Sequence, residues 1–258
     1  MSRRLVVVVA HPDDDTFGVG GTAALHAEDP GFRFVLVHVT SGDRGMIADP
    51  ALATPETLGE VREEEDRRSW LALGREPDSH EFWRYPDGEV VDVPRQELVG
   101  RVAAVLRDER PDVVVTFGPE GITAHPDHIR VGEVTTEAFH LVRGEGDSGL
   151  RRLLYNALPE SSIEWFNQEL FKLGMDPIDP TQIYQPRGVP DDTIAVEVDC
   201  SKVWRRKRAA LDEHRTQAPD MQFPQNLMER VLSAETFVQA WPERERSAAI
   251  LSDLFESL

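Results

Sequence analysis

Residues 5–15 read LVVVVAHPDDD, an uninterrupted aliphatic run that leads directly into a polar, acidic turn. A continuous aliphatic run is typical of a strand that is buried on both faces of a parallel sheet. A second such run, at residues 113–117, is followed by AHPDH at residues 124–128. Ligands bind beyond the carboxyl ends of the strands in an open α/β sheet. The two His-Pro-Asp segments are therefore predicted to form two halves of one site.

Strand-like and helical segments alternate along the rest of the chain. Strands are expected at 32–40, 80–83, 112–117, 153–157 and 193–198, and helices at 22–28, 58–73, 95–109, 163–173, 202–214 and 244–258, with a further helix from the second His-Pro-Asp segment to about residue 139. This order predicts an α/β fold with a Rossmann-like, doubly wound, largely parallel sheet and helices on both faces. We expect a single domain over residues 1–258 with a C-terminal helical extension from about residue 218. A glycine-rich turn is expected at 18–21, and the proline-bearing loop 176–190 is expected to be a lid or insertion.

Composition excludes several classes of partner. With 28 basic and 47 acidic residues the formal net charge is −19, which argues against nucleic acid or an anionic membrane as a partner. The single cysteine, Cys200, rules out an intrachain disulfide and is compatible with a reducing compartment. The apolar run near the start is only about six residues long, too short for a signal peptide or a membrane span. A cytoplasmic location is expected, and homo-oligomerisation stays open.

The two His-Pro-Asp segments together offer a catalytic donor set for a divalent metal. His11 and His128 supply imidazole nitrogens, and Asp14 supplies a carboxylate oxygen. Two histidines and one carboxylate, with an open position for water, are typical of catalytic zinc rather than of closed structural sites. Zinc is therefore the expected cofactor, and ferrous iron or another divalent metal stays open.

The neighbouring residues of these segments supply acid–base chemistry. Asp13, beside Asp14, is predicted to be a general base that activates water. His125 is predicted to donate a proton to the oxyanion or to the leaving amine, with Asp127 fixing its tautomer. A lone His-Pro-Asp turn is commonly only a strand end, but two of them after core strands favour the metal interpretation.

The motifs resemble those of the LmbE-like/PIG-L family of zinc-dependent N-deacetylases. The resemblance rests on AHPDDD at 10–15, GVGGT at 18–22, TSGD at 40–43, Arg62 and Glu65 followed by Leu73-Gly74, HPDH at 125–128, and Lys207, Ala210, Leu211, His214 and Gln217. It implies His11, Asp14 and His128 as zinc ligands, Asp13 as base, His125 as oxyanion donor or acid, Asp127 as its support, and Arg62 and Asp87 as substrate-hydroxyl contacts.

The implied reaction removes an N-acetyl group from a small, amide-bearing sugar conjugate such as an N-acetylglucosaminide, by means of zinc-activated water. The alternatives are an amidase of a thiol conjugate, an antibiotic-tailoring deacylase, and a metal-binding protein without catalysis. Two positions depart from the family pattern: Asp15 stands where a glutamate is usual, and Thr123 stands where some members carry a tyrosine.

Overall fold

The computed structural model describes residues 3–146, 149–217, 223–245 and 247–258. Its strands are β1 (Arg3–Val9), β2 (Phe32–Thr40), β3 (Ser79–Tyr85), β4 (Val113–Phe117), β5 (Arg152–Asn156), β6 (Leu158–Pro159), β7 (Gly188–Val189), β8 (Ile194–Asp199) and β9 (Ala234–Trp241). Seven of them form one sheet in the order β3-β2-β1-β4-β5-β9-β8, while β6 and β7 pair separately. Strands β1 to β5 are parallel, and β9 runs antiparallel to both β5 and β8. The prediction of a largely parallel, Rossmann-like α/β sheet is confirmed.

The helices are α1 (Asp14–Leu25), α2 (Leu58–Leu73), α3 (Arg95–Glu109), α4 (Gly121–Ala124), α5 (Pro126–Gly144), α6 (Glu160–Lys172), α7 (Trp204–Leu211) and α8 (Gln225–Leu232). Helices α1, α2 and α7 pack against one another, and α3 packs against α5. Every residue of β4 is buried, as expected for a strand that is covered on both faces. Among the described residues, no helix has both the length and the apolar character needed to cross a membrane.

The order of the strands places the two His-Pro-Asp segments side by side. Strand β1 pairs with β2 on one side and with β4 on the other, so the winding of the sheet reverses between β1 and β4. Both strands run in the same direction, with Val7 aligned to Val115, and their carboxyl ends lie at the same edge. His11 follows β1 directly, and His125 follows β4 through the short α4. The site therefore lies at the topological switch point of the sheet, where ligands of such folds bind.

The predicted glycine-rich turn at 18–21 is wrong, because these residues lie inside α1. The helix begins at Asp14, directly after the acidic turn. A Cβ atom on Gly21 would lie 2.5 Å from Sγ of Cys200, so this position needs glycine for close packing of the helix. The backbone N–H of Gly21 donates to the buried Glu235 carboxylate at 2.7 Å. Tertiary contacts of this kind are invisible to local sequence pattern.

The predicted C-terminal helical extension is only partly helical in the structure. Its predicted start near residue 218 lies outside the described residues, and α8 is a helix as expected. The next element is β9, a strand that inserts into the main sheet between β5 and β8. That residues 1–258 form one domain stays a prediction.

The predicted helix at 244–258 is wrong: the described residues of this segment form turns and an isolated bridge. Leu251 bridges to Val196 in β8, so the segment extends along the sheet edge instead of coiling. The side chain of Arg152 donates to the carbonyl oxygens of Leu254 at 2.6 Å and Glu256 at 3.0 Å. The hydrogen bond to Leu254 satisfies a carbonyl oxygen that a helix over residues 244–258 would pair internally.

Candidate metal centre and active site

Three side chains from the two His-Pro-Asp segments converge on one point. Nδ1 of His11 lies 3.1 Å from Nε2 of His128. The two oxygens of Asp14 lie 3.3 Å from Nδ1 of His11 and 3.2 Å from Nε2 of His128. A tetrahedral zinc ion with bonds of about 2.0–2.1 Å sets neighbouring ligand atoms about 3.3 Å apart. The spacing of the three donors therefore fits one such ion.

The hydrogen-bond partners of the two imidazoles leave lone pairs at this point. Nδ1 of His128 lies 3.0 Å from the carbonyl oxygen of Gly121, which can only accept, so Nδ1 carries the proton and Nε2 keeps a free lone pair. Nε2 of His11 lies 2.9 Å from Oδ1 of Asp87. The negative charge of this carboxylate favours the tautomer with the proton on Nε2 and the lone pair on Nδ1. Two lone pairs and a carboxylate face one another and repel unless a cation lies between them. The donor set therefore fits a divalent metal.

The electrostatics of the trio keep the carboxylate ionised. Burial raises the pKa of Asp14. When His128 and His11 take up protons in the absence of a metal, their positive charge and hydrogen bonds outweigh burial and hold that pKa well below its usual value. Burial likewise opposes protonation of His11, yet hydrogen bonds with its carboxylate neighbours, Asp127, Asp14 and Asp87, raise the pKa of His11 well above 6.5. In the absence of a metal, His11 and Asp14 thus favour binding of a proton at the point where a metal cation would otherwise lie.

Asp13 lies beside the trio in an unusual backbone conformation. Its φ of 110° lies outside the range that most side chains adopt, and such strain persists only where surrounding contacts hold it. Its backbone N–H is 3.2 Å from Oδ1 of Asp15. Burial raises the pKa of Asp13 to about 6, against the opposing charge of Arg62. A carboxylate that titrates near this pH suits a general base at neutral pH.

Arg62 reaches this turn from α2 and is buried, with only 3% of its surface exposed. Its guanidinium donates to the carbonyl oxygens of Gly42 at 3.0 Å and Pro12 at 2.7 Å, and lies 3.2 Å from Oδ2 of Asp13. These contacts hold the turn that carries His11, Asp13 and Asp14. A role for Arg62 in contacting the substrate stays a prediction.

Asp87, in the turn after β3, lies against the metal trio. Apart from its contact with His11, its Oδ2 accepts from the backbone N–H of Arg44 at 3.2 Å. Burial raises the pKa of Asp87, but the hydrogen bond and charge of His11 outweigh this and lower it to about 2. The structure thus places the carboxylate of Asp87 against the ring of His11, and its predicted contact with substrate hydroxyls stays a prediction.

His125 and Asp127 are brought together in a different way from the one the sequence suggests. The backbone N–H of Asp127, and not its carboxylate, donates to Nδ1 of His125 at 3.1 Å. Nδ1 is therefore an acceptor, and neutral His125 carries its proton on Nε2. Burial, followed by the charges of His11 and His128, lowers the pKa of His125 to about 4. The neutral imidazole thus has one N–H with which to donate to a substrate.

The carboxylate of Asp127 instead holds the neighbouring turn. It is fully buried and accepts from the backbone N–H groups of Gly88 at 2.7 Å and Val90 at 3.2 Å. Its Oδ2 lies 3.5 Å from Nε2 of His11. Asp127 therefore connects the second His-Pro-Asp segment to the loop that carries Asp87.

The sequence analysis did not predict a largely buried polar cluster beside the acidic turn. His38, Asp66 and His80 place ring nitrogens and a carboxylate oxygen within 4.8 Å of one another. Asp15 joins this cluster, with Oδ1 3.2 Å from Nε2 of His38, and Oδ2 accepts from the indole N–H of Trp70 at 2.6 Å. The shorter Asp15 therefore still fixes the acidic turn. No local sequence signal reveals this, because the partners come from β2, β3 and α2.

Comparison with known proteins places this geometry in a family. The model of a family described as "PIG-L: GlcNAc-PI de-N-acetylase" matches residues 6–139. A 1D-myo-inositol 2-acetamido-2-deoxy-alpha-D-glucopyranoside deacetylase of Kineococcus radiotolerans is 33% identical over 83% of this chain and 69% of that protein.

Solved structures share the fold. An N,N'-diacetylchitobiose deacetylase of Pyrococcus horikoshii aligns with a TM-score of 0.63 at 23% identity, over 92% of this chain and 84% of that chain. A 4-carboxy-2-hydroxymuconate hydratase of Pseudomonas putida aligns equally well, with a TM-score of 0.63 at 21% identity, over 96% of this chain and 100% of that chain. Since this fold serves more than one chemistry, the family rests on the sequence matches and not on the fold. By those matches, the chain belongs to the PIG-L family, as its two His-Pro-Asp segments predict.

Proposed function

We propose that this protein is a zinc-dependent N-deacetylase that hydrolyses the acetamide of a small N-acetylglucosamine conjugate. The observation that carries the proposal is the convergence of His11, Asp14 and His128 on one point, with Asp13 beside them. Two imidazoles and a carboxylate match the donor preference of catalytic zinc. The names of the relatives, which are deacetylases of N-acetylglucosamine joined to inositol, support the substrate class.

The residues of the site have distinct tasks in this reaction. A bound zinc ion would supply a Lewis acid that acidifies water and polarises the amide carbonyl. Asp13 accepts a proton from the water as it attacks the carbonyl carbon, and its pKa of about 6 leaves it ionised at neutral pH. His125 donates its Nε2 hydrogen to the carbonyl oxygen as that oxygen gains negative charge. Asp13 then returns the proton from the water to the amide nitrogen as the C–N bond breaks, which releases a primary amine and acetic acid; the acid loses its proton to water.

Two groups keep the acid and the base in place. Arg62 holds the turn of Asp13 through hydrogen bonds with Pro12 and Gly42. The backbone N–H of Asp127 keeps Nδ1 of His125 an acceptor, so that the proton stays on Nε2. We place the reaction in the cytoplasm, since the single cysteine, Cys200, is free and buried as is usual in a reducing compartment.

The test uses zinc-loaded protein and three substrates: N-acetylglucosamine, N,N'-diacetylchitobiose and N-acetylglucosaminyl-inositol. Released primary amine is quantified, and bound metal is measured by elemental analysis. We expect amine release from at least one conjugate, loss of both metal and activity in His11→Ala, and retention of metal with loss of activity in Asp13→Asn. The role of Asp13 would be refuted by an Asp13→Asn variant whose kcat stays within about threefold of wild type. Bound zinc without amine release from any substrate would refute the proposed substrate class.

A further inference from the structure

The loop that follows α6 is attached to the segment that carries His125. The backbone N–H of Tyr184 donates to the carbonyl oxygen of Thr123 at 2.9 Å, and that of Arg187 donates to the carbonyl oxygen of Ile122 at 2.6 Å. These two hydrogen bonds join residues 184–187 to the chain just before the second His-Pro-Asp motif. The loop predicted as a lid therefore borders the candidate site through specific contacts.

The backbone is strained on both sides of this attachment. Tyr184 has a φ of 68°, Ile122 of 59° and Ala124 of 56°, values in the left-handed region that favours glycine. Such conformations persist only where surrounding contacts determine them, and they concentrate at active sites and ligand clamps. Tyr184 therefore adopts a backbone conformation that a non-glycine residue would avoid without these surrounding contacts.

This backbone presents the aromatic ring of Tyr184 at the mouth of the site. Its ring centroid lies 5.1 Å from that of His125, with the ring planes inclined at 59°. Yet 64% of the residue is exposed, although a large aromatic side chain commonly buries most of its surface. One part of the ring thus contacts the proposed proton donor, while the rest faces solvent beside it.

We propose that Tyr184 is a specificity-determining residue whose ring is the platform for the pyranose ring of the substrate. This inference rests on the proposed deacetylation and names the part of the substrate that the loop recognises. An aromatic face packs against the apolar C–H groups of a sugar, and the phenol hydroxyl exchanges hydrogen bonds with sugar hydroxyls or water. Contact with His125 places the stacked sugar next to the group that donates to its acetamide.

The test separates ring stacking from chemistry by steady-state kinetics on the best conjugate of the panel. Tyr184→Ala is expected to raise KM about tenfold while kcat stays within about threefold of wild type. Tyr184→Phe keeps the ring and loses only the hydroxyl, so its KM is expected to lie closer to wild type than that of Tyr184→Ala, with kcat within about threefold. Ile183→Ala is the matched control, since this neighbour is also exposed, at 55%; it is expected to behave as wild type.

Tyr184→Gly removes the ring and also relieves the left-handed strain. If the ring is the platform, Tyr184→Gly and Tyr184→Ala raise KM alike. Recovery of KM in the glycine variant alone would show that backbone strain is responsible and would overturn the proposal. A KM for Tyr184→Ala within about twofold of wild type would also overturn it.

Direct binding measurements test the role of Tyr184 separately from the proposed deacetylation. Calorimetry with the same conjugate compares zinc-loaded Asp13→Asn with the double variant Asp13→Asn/Tyr184→Ala. A Kd that is about tenfold weaker in the double variant supports the platform, and equal Kd values refute it, whether or not wild type releases amine. Absence of amine release from wild type refutes the proposed function alone.

Discussion

A buried ion pair joins a late part of the chain to the helix that begins at the candidate site. Nζ of Lys207 lies 2.5 Å from Oε1 of Glu235 and donates to the carbonyl oxygen of Phe17 at 2.7 Å. The same carboxylate accepts from the backbone N–H groups of Gly21 at 2.7 Å and Thr22 at 2.8 Å. In a regular helix the carbonyl oxygen of Phe17 would pair with the N–H of Gly21. Lys207 of α7 and Glu235 of β9 thus hydrogen-bond to backbone groups of Phe17 and Gly21 in the middle of α1.

The substitution Lys207→Met removes the charge and retains most of the side-chain volume. The side chains of Lys207 and Glu235 are only 2% and 0% exposed, so the remaining carboxylate would be left without a cation or water. Removing one partner of a buried pair costs about 3–5 kcal/mol. This range includes the lost hydrogen bond to the carbonyl oxygen of Phe17. We therefore expect Lys207→Met to lower the free energy of unfolding by about 4 kcal/mol. That is a large part of the roughly 5–15 kcal/mol by which domains are stable.

Urea unfolding at pH 7, followed by far-ultraviolet circular dichroism, measures this loss. The matched control is Arg107→Met, which breaks a bidentate pair with Glu145 that is about half exposed at both partners. We expect a much smaller loss of stability there, because water screens an exposed pair. Lys207→Met/Glu235→Gln should regain about 1 kcal/mol or more of the loss, since a neutral amide needs no counter-charge.

A loss below about 1 kcal/mol for Lys207→Met would refute the reasoning, because it would mean that water or another cation reaches Glu235. Equal losses for Lys207→Met and the exposed control would refute it as well. A double variant as unstable as the single one would show that the hydrogen bonds to α1, and not the charge balance, carry the stabilisation.

Three further predictions concern the interior and the acidic turn. Gly21→Ala should lower stability by about 1–3 kcal/mol, seen as a lower Tm, because the new Cβ would lie 2.5 Å from Sγ of Cys200; an unchanged Tm would contradict this. Burial lowers the pKa of His214 to about 4, below its unfolded value of 6.5, so the unfolded state binds the proton first and stability falls as pH drops from 6.5 to 4. In urea titrations at pH 7 and 4.5, the free energy of unfolding of His214→Asn should therefore fall less steeply with decreasing pH than that of wild type, by up to about 1.4 kcal/mol per pH unit. An equal fall in the two proteins would contradict this prediction. Arg62→Lys should lower kcat about tenfold or more with zinc retained, because one ammonium cannot reproduce the contacts with Pro12 and Asp13; a metal-free variant would instead assign Arg62 to metal binding.

Elements with local signals were predictable within a residue or two. Helix α2 ends at Gly74, which adopts the left-handed C-cap conformation that glycine favours, and its bounds match the prediction. Helix α3 also matches, since Pro111 follows its end, and strand β2 matches its run of β-branched and aromatic residues. In each case, the residues that determine the element lie within it or next to it.

Elements with remote partners were not predictable. The apolar stripe of residues 250–258 has helical spacing, but Arg152 and the edge of β8 pair its backbone instead. Strand β9 gave no recognised signal, although it completes the sheet between β5 and β8. The start of α1 was misplaced because Glu235, far along the chain, stabilises a helix that contains three glycines.

By itself, the sequence determined the family, the class of fold and which side chains could meet at the switch point. The sequence indicated His11, Asp14 and His128 as candidate ligands because each lies in a short motif that follows a core strand. Only the tertiary structure decided which groups surround these side chains and influence their protonation, as Asp87 does for His11. It also decided that Tyr184 stands beside the site. The physical reason is distance along the chain: ring nitrogens that meet at 3.1 Å come from positions 117 residues apart, and no local pattern encodes such a contact.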